Sequence, residues 1–348
     1  MVAVRAEERV RSDGKEVVLS PEQKTRALVT GADGFIGSRL VHRLLQDGMA
    51  VTALCHHGLT AGRSRLLAWG VADRVDVRVC DVCDCRSVEE TMQEANPRLV
   101  FHLAAQTIVT RGQEEARSTI DANVRGTYNV VDSARRLPEL KAIVVASSDK
   151  AYGSSDVLPY VETMPLLGGA IYDSSKAAAD ILVRSLARTL GLPMGVTRCA
   201  NVYGPGDLHM TRIVPDSCVR IARNEPPLIR GHGRHKRDFL FLDDAVEGYV
   251  LLAEAIAVGA VEPGAAFNFG TGEPTEILTL VEEILDLAGR RDLQPVILAK
   301  DTPFEIDEQY LDTGKALKAL EWRPKTPLSI GLQRTLDWYR SRQEVDDG

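Results

Sequence analysis

The stretch Ala27-Leu-Val-Thr-Gly31-Ala-Asp-Gly34-Phe-Ile-Gly37-Ser-Arg-Leu40 decides the fold of this chain. A short apolar run meets three closely spaced glycines, and apolar residues on one helical face follow. This order predicts a strand, a tight turn and a helix. In such a turn the glycines let the backbone approach a pyrophosphate, whose charge is stabilised by the free amides at the helix start. The turn therefore predicts a dinucleotide site at Gly31, Gly34 and Gly37.

Further strand candidates recur along the chain, with helical patterns between them. They cover residues 50–55, 75–79, 99–103, 142–146 and 194–198. This alternation predicts an α/β fold of Rossmann type, in which helices cover both faces of a doubly wound parallel sheet. Ligands bind such sheets at the carboxyl ends of the strands. We therefore expect the functional residues in the loops that follow strands.

A tyrosine and a lysine stand four residues apart in Tyr172-Asp-Ser-Ser-Lys176. Residues at this spacing share one face of a helix, so Lys176 can lie behind Tyr172 and beside a cofactor. A tyrosine that acts as a base near pH 7 needs its pKa lowered by roughly 3 units, and Lys176 with a positive nicotinamide would suffice. The pair predicts proton transfer next to a hydride-transfer cofactor.

An acid and an amine stand side by side in Ser147-Ser-Asp-Lys150, directly after a strand candidate. Their position puts both groups beside the expected hydride-transfer site, and the pairing indicates elimination of water in addition to redox chemistry. Lys150 must be neutral to act as a base, and the neighbouring Asp149 opposes this unless its carboxyl group is protonated.

These stretches and several others resemble an extended short-chain dehydrogenase/reductase that acts on nucleotide sugars, over residues 25–340. The matching motifs are Thr30-Gly-Ala-Asp-Gly-Phe-Ile-Gly37, Cys80-Asp81-Val82, Phe101-His-Leu-Ala-Ala-Gln106, Asn123-Val-Arg-Gly-Thr127, Tyr172-x-x-x-Lys176, Arg198-Cys-Ala-Asn-Val-Tyr-Gly-Pro-Gly206, Arg237-Asp-Phe-Leu-Phe-Leu-Asp-Asp244 and Phe267-Asn-Phe-Gly-Thr-Gly272. Within that superfamily Ser148-Asp149-Lys150, with Leu103-Ala-Ala-Gln106 and Arg212-Ile-Val-Pro-Asp216, is most similar to the CDP-glucose 4,6-dehydratase branch.

The resemblance implies a nucleotide-sugar 4,6-dehydratase with an internal redox cycle. Tyr172 would take the proton of the 4-hydroxyl while hydride leaves carbon 4, and Lys176 would support it. Lys150 would then remove the carbon-5 proton, Asp149 would protonate the departing 6-hydroxyl, and Ser148 would bond the 4-oxygen. A nucleotide-sugar 4-epimerase or another 4-keto enzyme is the nearest alternative, and a nucleotide sensor without turnover is a third.

The same resemblance implies the cofactor contacts. They are Gly31, Gly34, Phe35, Ile36, Gly37, His56, Asp81, Val82, Leu103, Ala104, Ala105, Gln106, Tyr172 and Lys176. Where an NAD-binding chain often has an acid for the ribose 2′-hydroxyl, this chain has Cys55-His56-His57. His56, Arg63 or Arg65 could therefore meet a 2′-phosphate. We favour NAD and keep NADP as the alternative.

The substrate contacts and the oligomer also come from the resemblance. Gln106, Asn201, Arg212, Arg230 and Arg237 match positions that hold a nucleotide sugar, where guanidinium groups grip phosphate oxygens. The helices expected around 123–136 and 170–190 resemble the pair that forms a four-helix interface, which implies a homodimer.

Composition excludes several classes of function. The net charge of −7 argues against broad nucleic-acid binding, and no stretch approaches the roughly 20 apolar residues that span a bilayer. We expect a cytoplasmic protein without membrane or nucleic-acid partners. Cys80, Cys83 and Cys85 lie close in sequence, but no second cluster supplies the remaining ligands of a structural metal. We therefore expect no metal.

The expected boundaries follow the motifs. Residues 1–24 are polar and predict a loose extension, and residues 25–200 form the dinucleotide-binding domain. Residues 201–348 mainly form a smaller substrate-binding lobe, with a return to the first domain at about 239–257. The stretch 332–339 is helical in character.

Overall fold

The computed structural model describes residues 25–108, 114–300 and 305–346, together with the backbones of two short strands near the N-terminus. These strands, β1 (Arg11–Ser12) and β2 (Lys15–Glu16), pair antiparallel. They fall within residues 1–24, for which a loose extension is predicted. The rest of that segment lies outside the described residues.

A seven-stranded sheet carries the glycine-rich turn. Its strands are β3 (Arg26–Thr30), β4 (Ala50–Cys55), β5 (Asp76–Val79), β6 (Leu99–His102), β7 (Ala142–Ala146), β8 (Met194–Cys199) and β12 (Ala265–Phe269). They lie in the order β12-β8-β7-β6-β3-β4-β5, and every neighbouring pair is parallel. The order reverses beside β3, where an open sheet of this type binds its ligand. The predicted Rossmann-type α/β fold is confirmed.

The central strands are buried along their length because helices cover both faces. All residues of β6 and β8 are buried, as expected for parallel strands without a solvent-facing side. The helices are α1 (Phe35–Gln46), α2 (Arg65–Ala68), α3 (Cys85–Ala95), α4 (Ala116–Ile120), α5 (Thr127–Ala134), α6 (Ile171–Leu190), α7 (Ile213–Ala222), α8 (Leu242–Ala257), α9 (Ile277–Ala288), α10 (Gly314–Leu320) and α11 (Leu328–Asp346). A π-helical turn, Asp121–Gly126, joins α4 to α5.

A smaller lobe is built from the later part of the chain. Its strands are β9 (Asn201–Tyr203), β10 (Leu228–Ile229), β11 (Lys236–Phe241), β13 (Pro274–Glu276), β14 (Val296–Ile297) and β15 (Glu308–Gln309). Strand β11 pairs with β9, β13 and β15, and β10 pairs with β14. Helices α7, α9 and α11 share a separate hydrophobic core here, with Val214, Leu280 and Leu336 buried.

The chain crosses between the lobes more than once. Sequence analysis places the return at about 239–257, where the structure has the end of β11 and then α8. The strand that rejoins the central sheet is β12, which pairs with β8. Two ion pairs tie α8 to α1, one between Arg39 and Asp243 at 2.7 Å and one between Arg43 and Glu247. Among the described helices, none is both long enough and apolar enough to cross a bilayer.

Candidate active site

The glycine-rich turn has the geometry of an anion cradle. Gly31 has φ +65°, and a Cβ built on it would lie 2.9 Å from the backbone nitrogen of Ala104. A Cβ on Gly37 would overlap the carbonyl oxygen of Gly31. Helix α1 begins at Phe35 without a side-chain cap, so Phe35 and Ile36 present first-turn amides to a ligand. These features fit the diphosphate of a dinucleotide, which needs close backbone approach and free N–H groups.

Buried polar groups hold the loop after β6 against this turn. The Thr30 hydroxyl oxygen accepts hydrogen bonds from the amides of Leu103 and Ala104, each 3.1 Å long, and lies 2.8 Å from Nδ1 of His102. Burial lowers the pKa of His102 to about 3, so its ring is neutral. The loop from Leu103 to Ala105 is therefore fixed beside Gly31. This role of Thr30 and His102 was not predicted from the sequence.

The Gln106 side chain forms hydrogen bonds within its own loop. Its side chain donates to the carbonyl of Ile108 at 2.9 Å and accepts from the amide of the same residue at 2.5 Å. Its backbone amide donates to Oδ1 of Asn123 at 2.7 Å, and Asn123 donates to the Ser175 hydroxyl at 2.8 Å. The structure therefore ties Gln106 to the helix of Tyr172, and the side chain has protein partners where substrate contact is predicted.

Two of the predicted cofactor contacts, His56 and Asp81, are open to solvent. Asp81 accepts from the Cys83 amide at 2.9 Å, and its carboxylate lies 3.9 Å from Nδ1 of His56. Half of the Asp81 side chain and 61 % of the His56 side chain are exposed, so both can meet a ligand. Val82 is buried, and a Cβ on Gly126 would come within 2.7 Å of its Cγ2. The π-helical turn therefore packs directly behind Val82.

The Arg65 guanidinium is hydrogen-bonded to backbone carbonyls. It donates to the Gly206 carbonyl at 2.6 Å and to the Asp33 carbonyl at 3.2 Å. The Asp33 carboxylate in turn accepts from the Ser64 hydroxyl at 2.8 Å. This guanidinium links the glycine-rich turn to the Gly206 loop, and a contact with a ribose 2′-phosphate would require it to leave both carbonyls.

Tyr172 and Lys176 lie on α6 and are both buried. Lys176 donates to the Ala146 carbonyl at 2.9 Å, and burial lowers the pKa of its ammonium to about 8. Burial raises the pKa of Tyr172 to about 12, although Arg212 and a hydrogen bond with Ser148 lower it. The expected lowering by Lys176 is therefore not found in the protein alone. The loss of water around the phenol raises its pKa more than the cations of the protein lower it. The predicted lowering also depended on the positive nicotinamide.

The acid and the amine occupy a 3₁₀ turn, Asp149–Tyr152, directly after β7. The Ser148 hydroxyl donates to Oδ1 of Asp149 at 3.0 Å and accepts from the Lys150 amide at 3.3 Å. Asp149 is 2 % exposed, and its Oδ2 is buried without a hydrogen-bond partner in the described part of the chain. Burial raises the pKa of Asp149 to about 6, although Lys150 lowers it.

We expect Asp149→Asn to stabilise the fold at neutral pH. The folded protein binds this proton more tightly than the unfolded chain, so ionisation costs stability as pH rises from 3.8 to about 6. The cost above that window is about 3 kcal/mol. The variant should melt at a higher temperature than wild type at pH 7.5 and lose this advantage at pH 4. An equal gain at both pH values, or a gain in the exposed control Asp156→Asn, would contradict the explanation.

The predicted substrate residues have protein partners. Asn201 donates to the Asp238 carbonyl at 3.4 Å, and Arg212 pairs with Asp207 at 2.9 Å. Arg237 is buried and forms an ion pair with Glu305. The charge of Arg212 acts on Tyr172 and that of Arg237 acts on Asp149, so both lie near the acid–base groups. Arg230 is exposed and donates to the carbonyls of Met210 and Thr211.

A buried ion pair joins the two segments that carry the predicted catalytic residues. Arg198 is fully buried and makes two bonds of 2.8 Å to the carboxylate of Asp180, which lies one helical turn after Lys176. It also donates to the Tyr152 hydroxyl at 2.8 Å, at the end of the Asp149 turn. Arg198 belongs to one of the motifs that carry the family resemblance, and its pairing with Asp180 was not predicted. The sequence signal for Asp180 was its position four residues after Lys176, on the same face of the helix.

His232, His235 and Asp307 are brought together, although sequence analysis expected no metal. The imidazole rings stack with centroids 3.9 Å apart and an angle of 23° between their planes. Nδ1 of His232 accepts the Arg234 amide at 3.0 Å. A lone pair that binds a metal lies in the ring plane, so stacked rings do not direct two lone pairs at one ion. This geometry does not form a metal centre.

The family model described as GDP-mannose 4,6 dehydratase matches residues 28–335. The chain belongs to this family. The UDP-glucose 4-epimerase of Mycolicibacterium smegmatis is 30 % identical to this chain, and the alignment covers 92 % of this chain and 100 % of the relative. The dTDP-glucose 4,6-dehydratase of the same organism is also 30 % identical, over 91 % of this chain and 94 % of the relative.

The similar solved structures also include a dehydratase and an epimerase. The dTDP-glucose 4,6-dehydratase of Streptomyces venezuelae, solved with NAD bound, has a TM-score of 0.81 and 28 % identity, over 92 % of this chain and 98 % of that chain. The UDP-glucose 4-epimerase of Thermotoga maritima, solved with UDP-glucose, has a TM-score of 0.83 and 27 % identity, over 92 % and 100 %. The predicted resemblance to nucleotide-sugar dehydratases and epimerases is confirmed. The nearer likeness to the CDP-glucose branch stays a prediction.

Proposed function

We propose that this member of the GDP-mannose 4,6-dehydratase family is a nucleotide-sugar 4,6-dehydratase that forms a 4-keto-6-deoxyhexose. The observation that carries the proposal is the Ser148-Asp149-Lys150 turn, which contains a buried carboxyl and an amine and packs against the helix of Tyr172. Oxidation at carbon 4 needs only one base, whereas elimination of water also needs an acid–base pair. A 4-epimerase does not eliminate water, so its reaction does not require this acid–base pair.

Each catalytic residue has a role that its position supports. Tyr172 takes the proton of the 4-hydroxyl, and Ser148, which bonds the phenol, shares the 4-oxygen. Lys176, held by the Ala146 carbonyl, supplies the adjacent positive charge. Asp149 and Lys150 provide the acid and base that act at carbons 5 and 6. Bound NAD supplies the redox chemistry, taking up a hydride and returning it.

NAD is the cofactor that the residues favour. The cradle at Gly31 and Gly37 fits a diphosphate, and the dehydratase from S. venezuelae was solved with NAD. An NADP site needs cations free for the 2′-phosphate, and Arg65 is already bonded to two carbonyls. NADP therefore remains the weaker alternative.

The test is product mass with a panel of nucleotide hexoses. Purified protein with NAD is incubated separately with dTDP-, CDP-, GDP- and UDP-glucose and with GDP-mannose. We expect one substrate to yield a product lighter by one water. An isobaric product would identify a 4-epimerase instead, which the 30 % identity to the M. smegmatis epimerase makes the second candidate. No change in any reaction would favour a sensor.

We also propose a homodimer in the cytoplasm. Ile120, Tyr128 and Ile181 are large exposed side chains on α4, α5 and α6, where the four-helix interface is predicted. All six cysteines are free, which suits a reducing compartment. We expect light scattering at micromolar concentration to give the dimer mass, and Ile181→Asp to shift the equilibrium towards monomer. The matched control Leu317→Asp alters an exposed leucine on α10 and should leave the dimer intact.

A further inference from the structure

His102 joins strands β3 and β6 to helix α5 through its two ring nitrogens. It lies opposite Thr30 in the register of β6 against β3, and its Nδ1 is 2.8 Å from the Thr30 hydroxyl. Its Nε2 is 2.9 Å from the hydroxyl of Thr127, where the π-helical turn passes into α5. All three residues are at most 3 % exposed. The imidazole therefore bridges the strand that leads into the glycine-rich turn and the π-helical turn, inside the protein.

The hydrogen bonds around His102 permit only one position for its ring hydrogen. The single hydroxyl hydrogen of Thr127 is donated to the Asn123 carbonyl at 2.6 Å, so the Thr127 oxygen can only accept from Nε2. The Thr30 oxygen already accepts from two amides of the loop after β6, so this hydroxyl can only donate to Nδ1. The ring is therefore neutral, with its hydrogen on Nε2. In the opposite tautomer, neither nitrogen would have a partner, which is costly in a buried site.

The same chain of hydrogen bonds continues to the helix of Tyr172. While Thr127 holds the backbone carbonyl of Asn123, the Asn123 side chain accepts from the Gln106 amide at 2.7 Å and donates to the Gln106 carbonyl at 3.0 Å. Asn123 also donates to the Ser175 hydroxyl at 2.8 Å, and Ser175 donates to the Tyr172 carbonyl at 2.7 Å. Asn123 thus lies where the loop after β6, the π-helical turn and α6 meet. A displacement of the π-helical turn would shift the predicted cofactor loop against Tyr172.

We propose that His102 is a positioning residue, fixed with its hydrogen on Nε2, that couples the glycine-rich turn to the π-helical turn and so holds the predicted cofactor loop against the helix of Tyr172. The hydrogen bonds pass from residue to residue between Thr30 and Tyr172 without a gap. A histidine that only fills space in the core would need neither one tautomer nor a link between its two threonine partners. The inference concerns the NAD site and not the fate of the sugar, so it goes beyond the proposed function and does not depend on dehydration.

Nuclear magnetic resonance tests the position of the ring hydrogen, on protein labelled with nitrogen-15 in its seven histidines. We expect a slowly exchanging Nε2–H signal at pH 7, because this hydrogen of His102 is buried and bonded. His102→Gln should remove the signal, and Thr127→Val, which keeps the shape of the side chain, should shift it. If the signal that His102→Gln removes belongs to Nδ1–H, or if no protected signal is removed, the assignment is overturned.

A double-mutant cycle tests the coupling. Thr30→Val and Thr127→Val each remove one hydroxyl at nearly constant shape, and the two threonines bond opposite nitrogens of His102. Calorimetry should show weaker NAD binding for each variant. The loss in the double variant should be smaller than the product of the two single losses by about fivefold or more, because residues that share one partner are not independent.

Thr335→Val is the matched control. Thr335 is also buried and donates its hydroxyl to the carbonyl four residues earlier, that of Gly331, at 2.7 Å, but it lies on α11 in the smaller lobe. Added to Thr30→Val, it should leave NAD affinity equal to that of Thr30→Val alone. If the losses in Thr30→Val and Thr127→Val simply multiply, His102 is core packing and the proposal fails. Both tests use the protein and NAD without a sugar substrate, so neither result depends on which reaction the enzyme catalyses.

Discussion

Tyr172→Phe should reduce turnover by about 1,000-fold or more while the protein still folds and binds NAD. The substitution removes one hydroxyl, and the aromatic ring stays in place because the site around it is buried. Loss of a positioned proton acceptor costs roughly 10²–10⁴-fold, and here it blocks the first step, on which all others depend. Product formation by mass gives the rate, and calorimetry with NAD gives the affinity.

Tyr128→Phe is the matched control for this prediction. Tyr128 is 44 % exposed on α5, where the dimer interface is proposed, and Tyr128→Phe keeps the aromatic ring there while removing a hydroxyl that has no proposed part in catalysis. We expect its turnover and NAD affinity to equal those of wild type. If Tyr172→Phe keeps activity within about threefold, Tyr172 is not the base and the site must be reassigned.

The pH dependence of the oxidation step should reflect the buried phenol. With its pKa raised to about 12 by desolvation, Tyr172 is protonated in the protein alone at neutral pH. Proton transfer then needs the added positive charge of the bound cofactor, together with Arg212 and Lys176. The spacing of Tyr172 and Lys176 thus predicted that both lie on one helix, where both are buried, but did not predict the raised pKa of the phenol. Spacing fixes which side chains share a face and carries no information on the loss of water around them.

The fold was predictable because its signals are local. Apolar runs followed by polar loops mark β3, β4, β6 and β7, and the three glycines mark the turn, each within a few residues of sequence. The predicted strand 75–79 begins at Asp76 instead, and 99–103 ends at His102, which is the usual uncertainty at element ends. Local patterns also led to the Asp149 turn, since ligands bind where parallel strands end.

The groups that set the chemistry were not predictable, because their partners are distant in sequence. Arg198 meets Asp180 across 18 residues, Arg237 meets Glu305 across 68, and Thr30 meets His102 across 72. No periodicity encodes such pairs.

Asp149→Asn and Lys150→Ala should each stop dehydration after the first oxidation. In the proposed mechanism both groups act at carbons 5 and 6, whereas Tyr172 and Lys176 act at carbon 4, so the first half of the cycle should survive. Reduced nicotinamide should then accumulate on addition of substrate, with release of 6-deoxy product slowed by about 100-fold or more. A stopped-flow trace at about 340 nm follows the cofactor, and mass spectrometry follows the product.

Wild type should show little steady absorbance in the same experiment, because each oxidation is followed by elimination and return. Asp156→Asn and Lys141→Ala change exposed groups of the same types outside the catalytic turn and should behave as wild type. If both catalytic variants release product at the wild-type rate, the acid–base pair has no part in the reaction. The Asp149 turn would then be structural, and a 4-epimerase, which needs only Tyr172 and its neighbours, would become the better assignment.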